Sequence, residues 1–151
     1  LDRVSKYIES VAEYKQIEEY GKFQDLSDGV CHGAIVAANE LSLDAIIVPT
    51  ASGRTACRVS KYRCKVPMYA TTFNKKVQRQ LNLAWGIEAY FVDKEEDSKQ
   101  LINASIKHLI DIGKLRMDNN IALVAGLPVG QSIVGTNTLL LGSVEQILTM
   151  V

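Results

Sequence analysis

The order of short apolar runs and amphipathic segments is the feature that most restricts the fold of this chain. Runs rich in β-branched residues, such as Ile46 to Val48, are separated by stretches with helical spacing of apolar residues. This alternation predicts an α/β layer fold with a mostly parallel sheet. The predicted strands lie at about 46–48, 68–71, 89–92, 121–125 and 138–141, and the predicted helices at about 27–41, 54–62, 74–81 and 98–112.

Length and charge exclude several classes of protein. The chain has 151 residues, enough for one domain with a hydrophobic core. Lys plus Arg and Asp plus Glu each number 17, so the formal net charge is +0. The chain as a whole therefore carries no electrostatic signature of a nucleic-acid or membrane-surface partner, and we expect neither. It contains no apolar run of about 20 residues that would span a membrane, and no cleavable signal peptide.

The first twenty residues form a separate segment with apolar side chains at helical spacing. The stripe consists of Val4, Tyr7, Ile8, Val11 and Tyr14. Such a stripe either packs on the sheet or contacts another domain or subunit. The chain also begins at Leu1 rather than Met, so we expect a piece of a longer protein. We expect residues 1–24 to form a helix and linker, and residues 25–151 to form the α/β domain.

The cysteine and histidine side chains give no catalytic or metal-binding pattern. The chain has three cysteines, an odd number, at Cys31, Cys57 and Cys64, and their spacing is not that of metal ligands. This pattern predicts reduced thiols in a cytoplasmic protein. His32 and His108 have no second ligand at a recognisable spacing. The serines lack a nucleophile-elbow motif. We therefore predict no catalytic residue and no metal site in this chain.

The segment that follows the first predicted strand has the composition of a phosphate-binding loop. Its candidate ligands are Thr50, Ser52, Gly53, Arg54 and Thr55. The hydroxyls can donate hydrogen bonds, Gly53 allows close backbone approach, Arg54 can make a bidentate contact, and the following helix points its positive end at the loop. The alternative is a capped turn, since Ser, Thr and Gly are common there and no Walker lysine or dinucleotide glycine triplet is present. We favour phosphate binding.

A second segment, Gly126 to Thr138, connects two predicted strands and contains three glycines. It is long for a connection within a compact α/β unit, and long ordered loops are often binding loops. It either closes over a ligand or serves as a plain connection, and the pattern alone leaves both interpretations open.

In the order of its segments, the chain resembles the C-terminal domain of pyruvate kinase over nearly its whole length. The segments that carry the resemblance are Asp44 to Val48, Thr50 to Ala56, Ser60 to Arg63, Val66 to Ala70, Arg79 to Leu83 with Gly86, and Thr136 to Thr138. Leu1 to Val4 with Glu9 resembles the start of the helix that ends the catalytic barrel in that family, and the barrel itself is missing. We accordingly expect a three-layer α/β/α sandwich around a mostly parallel five-stranded sheet with one antiparallel edge strand.

The resemblance implies an effector-binding and assembly domain of an enzyme that transfers phosphate between phosphoenolpyruvate and ADP. That enzyme is a cytoplasmic homotetramer that uses magnesium and usually potassium, whereas this chain alone is expected to hold no cofactor and to be inactive. In the family, an effector phosphate binds the loop matching residues 50–55, and a second loop covers the ligand. The residues of this chain that match the covering loop are Gly130, Gln131, Ser132, Gly135 and Thr136.

Within the phosphorylated effectors, the sequence favours a monophosphate over a bisphosphate. The arginine that holds the second phosphate of fructose 1,6-bisphosphate in animal and fungal relatives has no clear counterpart near Leu101, although Lys99, Lys107 or Lys75 could take its place. The alternative function is a free-standing phosphate-ligand-binding protein on the same fold, which would use the same loop.

Overall fold

The computed structural model describes residues 2–11, 23–129 and 135–151. The helices are α1 (Asp2–Val11), α2 (Leu26–Glu40), α3 (Arg54–Ser60), α4 (Lys75–Leu81), α5 (Ser98–Asp111) and α6 (Val144–Met150). The strands are β1 (Ala45–Pro49), β2 (Met68–Thr72), β3 (Ile87–Phe91), β4 (Asn120–Ala125) and β5 (Thr138–Ser143). Every predicted strand and helix corresponds to one of these elements, with ends that differ by a few residues.

The strands form one sheet in the order β3-β2-β1-β4-β5. The first four strands of that order are mutually parallel, with Val48 of β1 opposite Ala70 of β2 and Ile46 opposite Ala122 of β4. β5 runs antiparallel to β4 at one edge. The expectation of a mostly parallel five-stranded sheet with one antiparallel edge strand is therefore confirmed.

Helices cover both faces of the sheet because the strand side chains alternate between two apolar clusters. Ile46 and Val48 of β1 pack with residues of α2, α3 and α4. Ala45 and Ile47 pack with residues of α5 and α6 on the other face. All five residues of β1 are buried, and each fully buried Ile or Val side chain contributes about 1.5–3 kcal/mol. The predicted three-layer α/β/α sandwich is confirmed.

Helix α6 is an element that the sequence pattern did not predict. It has seven residues and follows β5 directly, so its apolar residues continue the apolar run of the strand. Its start is marked by a capping box, in which the Gln146 N–H donates to Ser143 Oγ at 3.2 Å and the Ser143 N–H donates to Gln146 Oε1 at 2.9 Å. The Ser-x-x-Gln spacing was thus the available signal.

At the outer edge of β3, side chains of α4 and of its C-cap residue bond to the backbone of Ala89. Gln78 Nε2 donates to the Ala89 carbonyl at 3.2 Å, and the Ala89 N–H donates to Asn82 Oδ1 at 3.2 Å. These two amides occupy the backbone groups that a further strand would use. The contacts therefore protect this edge from pairing with another chain.

The apolar stripe of α1 is exposed. Its described members, Val4, Tyr7, Ile8 and Val11, each have more than half of their surface accessible. These side chains of the stripe are thus not buried against the sheet. Tyr14 lies outside the described residues. Within the described ranges, no helix has the length and apolar character needed to cross a membrane.

The docking of α6 gives a first prediction. Ile147 is 0% exposed in the cluster beneath α5, whereas Met150 on the same helix is 58% exposed. We expect Ile147→Ala to lower the free energy of unfolding by about 2–5 kcal/mol, because it leaves a cavity in the core. Met150→Ala is the matched control and should change it by less than about 1 kcal/mol. Urea denaturation measures both, and equal effects would show that α6 is not docked as described.

Candidate phosphate-binding site

The two candidate loops leave the sheet side by side. From β1 the chain proceeds outward through β2 to β3, returns by way of α5 to β4 on the other side of β1, and continues to β5. The strand order therefore reverses between β1 and β4. In open α/β sheets, ligands bind beyond the carboxyl ends of the strands at such a reversal. The first loop follows β1 there, and the second follows β4.

The first loop has a fixed internal geometry. The Thr50 N–H extends the strand pairing by donating to the Thr71 carbonyl at 2.9 Å, and Thr50 Oγ1 accepts from the Gly53 N–H at 3.0 Å. Gly53 has a φ of 81°, and a Cβ at this position would lie 3.1 Å from Leu81 Cδ2 and 3.2 Å from Val77 Cγ1. Both the backbone conformation and the crowding thus require glycine here.

The polar side chains of this loop divide into buried and exposed groups. Thr50 and Thr55 are buried, whereas Ser52 and Arg54 are exposed. Arg54 Nε donates to Ser52 Oγ at 3.3 Å, so these two exposed groups lie together. Gly53 occupies the N-cap position of α3 without a side-chain hydrogen bond to the first turn. The loop therefore presents a hydroxyl and a guanidinium to solvent beside the positive end of a helix.

The two loops meet at the start of α3. Thr55 Oγ1 and Thr136 Oγ1 lie 2.9 Å apart, and both residues are buried. Gly135 lies against α2, since a Cβ there would be 2.5 Å from Ser27 Oγ. Of the five predicted residues of the covering loop, the structure thus places Thr136 beside the first loop and Gly135 beside α2. Gly130, Gln131 and Ser132 lie outside the described residues.

Asn137 fastens the two ends of the second loop together, a role that the sequence analysis missed. The Leu127 N–H donates to Asn137 Oδ1 at 2.9 Å, and Asn137 Nδ2 donates to the Leu127 carbonyl at 2.8 Å. The Val129 N–H also donates to Ser98 Oγ at 2.8 Å. The available signal was an asparagine between two threonines before a strand, a position where Asn side chains commonly bond to the backbone.

A charged cluster, which the sequence analysis also missed, joins α3 to the start of α2. Arg58 bonds to both carboxylate oxygens of Asp25 at 2.8 Å and to Asp28 Oδ1 at 3.0 Å, and Lys61 Nζ lies 3.1 Å from Asp28 Oδ1. Asp25 is also the N-cap of α2, where its side chain accepts from the Asp28 N–H at 2.9 Å. Partners 33 residues apart leave no local pattern from which the ion pairs could be predicted.

Hydrogen bonds and charges hold both carboxylates in the ionised state. The hydrogen bond from Arg58 lowers the pKa of Asp25 below its ordinary value of 3.8. Burial raises the pKa of Asp28, but the Gln24 N–H and Lys61 outweigh this effect and lower the pKa overall. Beneath them, burial raises the pKa of the Cys31 thiol to about 11, so that thiol stays protonated at neutral pH.

The cysteines are free thiols, and both histidines lie beside aromatic rings. Cys57 and Cys64 are free thiols, as is Cys31. The His32 ring lies 4.9 Å from that of Phe23, and the His108 ring 6.0 Å from that of Tyr90. Among residues 2–11, 23–129 and 135–151, no group of three or more His, Cys, Asp or Glu side chains is arranged to hold a metal ion.

The contact between the loops predicts a measurable coupling. We expect Thr55→Val and Thr136→Val each to lower the free energy of unfolding by about 1–3 kcal/mol, since each leaves a buried hydroxyl without this partner. The double variant should lower the free energy of unfolding by about 0.5–1.5 kcal/mol less than the sum of the two single effects. The control combines Thr55→Val with Thr149→Val, since Thr149 is an exposed residue on α6. The effects of these two substitutions on the free energy of unfolding should add. Urea denaturation gives all of these values, and additivity of the first pair would contradict the contact.

The charged cluster predicts a pH dependence. Because the pKa values of Asp25 and Asp28 are lowered from 3.8, their contribution to stability is present above about pH 4 and is lost as the pH falls below it. We expect Asp28→Asn to lower the free energy of unfolding at pH 7 by about 1–2 kcal/mol, a value reduced for the half-exposed cations. The difference from wild type should shrink as the pH falls from 4 to 2, because wild-type Asp28 is then protonated too. Asp118→Asn, which removes an exposed ion pair, is the control, and its free energy of unfolding should stay close to that of wild type at every pH.

Comparison with known proteins identifies the family. The family model described as pyruvate kinase, alpha/beta domain, matches residues 28–141. Pyruvate kinase from Clostridium acetobutylicum is 35% identical over 117 residues, which is 78% of this chain and 24% of that protein. The Lactobacillus delbrueckii subsp. bulgaricus enzyme is 31% identical over 126 residues, 83% of this chain and 21% of that protein. The Methanocaldococcus jannaschii enzyme is 28% identical over 150 residues, 95% of this chain and 31% of that protein. The chain thus spans only a fifth to a third of these relatives, and it belongs to the pyruvate kinase alpha/beta domain family.

Proposed function

We propose that this chain is the regulatory and oligomerisation domain of a pyruvate kinase and that the loop at residues 50–55 binds the phosphate group of an effector. The observation that carries the proposal is the convergence of two loops at the reversal of strand order, joined by the hydroxyls of Thr55 and Thr136 at 2.9 Å. A ligand held by the first loop would contact the second as well. Family membership supports the same assignment.

The exposed groups of the first loop suit a phosphate. The Arg54 guanidinium can pair with two phosphate oxygens, and the neighbouring Ser52 hydroxyl can donate to a third. Gly53 leaves the backbone open to close approach, and the dipole of α3 favours negative charge at this end. Thr50 and Thr55 are buried and serve mainly to hold the loop in shape.

A monophosphate effector is part of the proposal. Leu101, near which the bisphosphate-binding arginine stands in animal and fungal relatives, is 4% exposed and belongs to the core side of α5. Its side chain can supply neither charge nor hydrogen bonds to a second phosphate. This favours a ligand with one phosphate group, such as a sugar monophosphate or a nucleoside monophosphate.

The rest of the proposal concerns the complete enzyme. It would transfer a phosphoryl group from phosphoenolpyruvate to ADP in glycolysis, as a cytoplasmic homotetramer, with magnesium and potassium bound in the catalytic barrel. Residues 25–151 would then be the regulatory domain, residues 1–24 the end of the barrel with its linker, and this chain alone would be catalytically silent. The exposed stripe of α1 supports attachment to a further domain over the alternative of a free-standing phosphate-ligand-binding protein.

The proposal predicts that Arg54 is needed for ligand binding. Arg54→Ala should weaken the binding of a phosphate ligand by about 1.5–3 kcal/mol, the value of a hydrogen bond to a charged group, which is a loss of about 10- to 150-fold in affinity. Ser52→Ala should have a smaller effect because a neutral donor is lost. Calorimetry with ribose 5-phosphate, glucose 6-phosphate, fructose 1,6-bisphosphate, AMP and inorganic phosphate measures both and identifies the ligand.

Arg116→Ala is the matched control, since Arg116 is an exposed arginine that pairs with Asp118 away from the loop. It should leave the affinity unchanged. Unchanged affinity in Arg54→Ala would remove Arg54 from the site. Absence of binding by every ligand to the wild-type chain would contradict the proposal for this chain.

A further inference from the structure

Helix α3 carries two separate sets of contacts one turn apart. At its start, Arg54 and Thr55 belong to the candidate phosphate loop, and Thr55 contacts Thr136 of the second loop. One turn later, Arg58 bonds to both carboxylate oxygens of Asp25. Because α3 has only seven residues, we expect a shift at its start to displace the Arg58 guanidinium as well.

The partner of Arg58 lies in the segment through which the chain enters the domain. Asp25 is the N-cap of α2 and follows Phe23 and Gln24 directly. The Gln24 N–H donates to Asp28 Oδ2 at 3.2 Å, and the Phe23 ring lies against His32 at 4.9 Å. The His32 ring in turn lies 5.8 Å from that of Tyr62, just beyond α3. Residues 23–25 are therefore fastened to α2 by Gln24 and Phe23, and to α3 by the contact of Asp25 with Arg58.

The geometry of the Arg58 contact makes it sensitive to small displacements. A bidentate pair between guanidinium and carboxylate needs two planar groups in register, so a displacement of either group weakens at least one of its two hydrogen bonds. Arg58 also bonds to Asp28 Oδ1 at 3.0 Å, and that carboxylate is 3% exposed. A shift of Arg58 thus perturbs the cap of α2 and the Gln24 contact together.

We propose that Arg58 couples the loop at residues 50–55 to the entry segment at residues 23–25, so that a change of state in the loop alters the fastening of that segment. The contacts of α3 are sufficient grounds for the coupling itself. That an effector acts on the rest of the protein through this coupling rests on the proposed function. Because coupling is reciprocal, a change in the entry segment must also alter the loop.

Amide hydrogen exchange of this chain, measured by NMR without any ligand, tests the coupling in both directions. Asp25→Asn removes the ion pair but keeps a good N-cap, and it should speed exchange at the remote Gly53 amide by about 5-fold or more. Thr55→Val, made at the other end, should speed exchange at the remote Gln24 amide to a similar extent. In an Arg58→Met background, either substitution should change the remote amide by less than about 2-fold.

Each other outcome overturns the coupling. Remote amides that do not respond would show that Arg58 is only a local clamp, and remote effects that persist in Arg58→Met would show that another route carries them. An equal rise at the core amides of Ile47 and Leu123 would show general destabilisation instead. Asp118→Asn, which breaks an exposed ion pair with Arg116, is the control and should leave both remote amides unchanged.

A parallel titration with ribose 5-phosphate separates this proposal from the proposed function. If ribose 5-phosphate and the other four ligands all fail to bind the wild-type chain, the effector role is wrong, while the ligand-free exchange still decides the coupling. If they bind, saturation should change exchange at the Gln24 amide by about 5-fold or more in wild type and by less than about 2-fold in Arg58→Met. Binding without any change at Gln24 in wild type would contradict the coupling.

Discussion

The burial of β1 on both faces is the constraint on which the rest of the structure depends. All five of its residues are buried, and it pairs with β2 on one side and β4 on the other. The register of a strand enclosed in this way is set by its pairing on both sides and by the close packing of its side chains in two different apolar clusters. The position of Thr50 at its carboxyl end is therefore fixed, and the Thr50 bond to the Thr71 carbonyl carries that order one residue into the loop.

Helix α3 depends on its surroundings more than on its own sequence. A helix of seven residues is unstable in isolation, since nucleation is costly and few bonds repay it. In this fold Thr136 contacts its start and Asp25 its middle. At its end, the Ser60 hydroxyl donates to the Trp85 carbonyl at 2.6 Å. The position of the candidate loop thus reflects the state of three distant segments.

Local patterns predicted the elements, whereas contacts between distant segments determined the site. The strands and most helices were predictable because their apolar periodicity is local, and the Asp25 cap was predictable from its place before α2. Helix α6 escaped prediction because its apolar residues continue those of β5. The contact of Thr55 with Thr136 and that of Arg58 with Asp25 join residues 81 and 33 positions apart, and no periodicity encodes such pairs. Residues 50–55 could nevertheless be predicted as a candidate site, because a loop between a strand and a helix has its own composition.

The buried carboxylate of Asp28 is not an efficient means of holding α2 and α3 together. Burial alone raises its pKa, and well-packed apolar side chains would join two helices about as strongly as ions that must lose their water. Apolar packing, however, tolerates small rotations, whereas Arg58 and Lys61 must both remain within about 3 Å of one carboxylate oxygen. The cluster therefore specifies an orientation more than it adds stability. Orientation is also what a short helix must keep if its first turn is to hold a ligand and its second turn is to hold the entry segment.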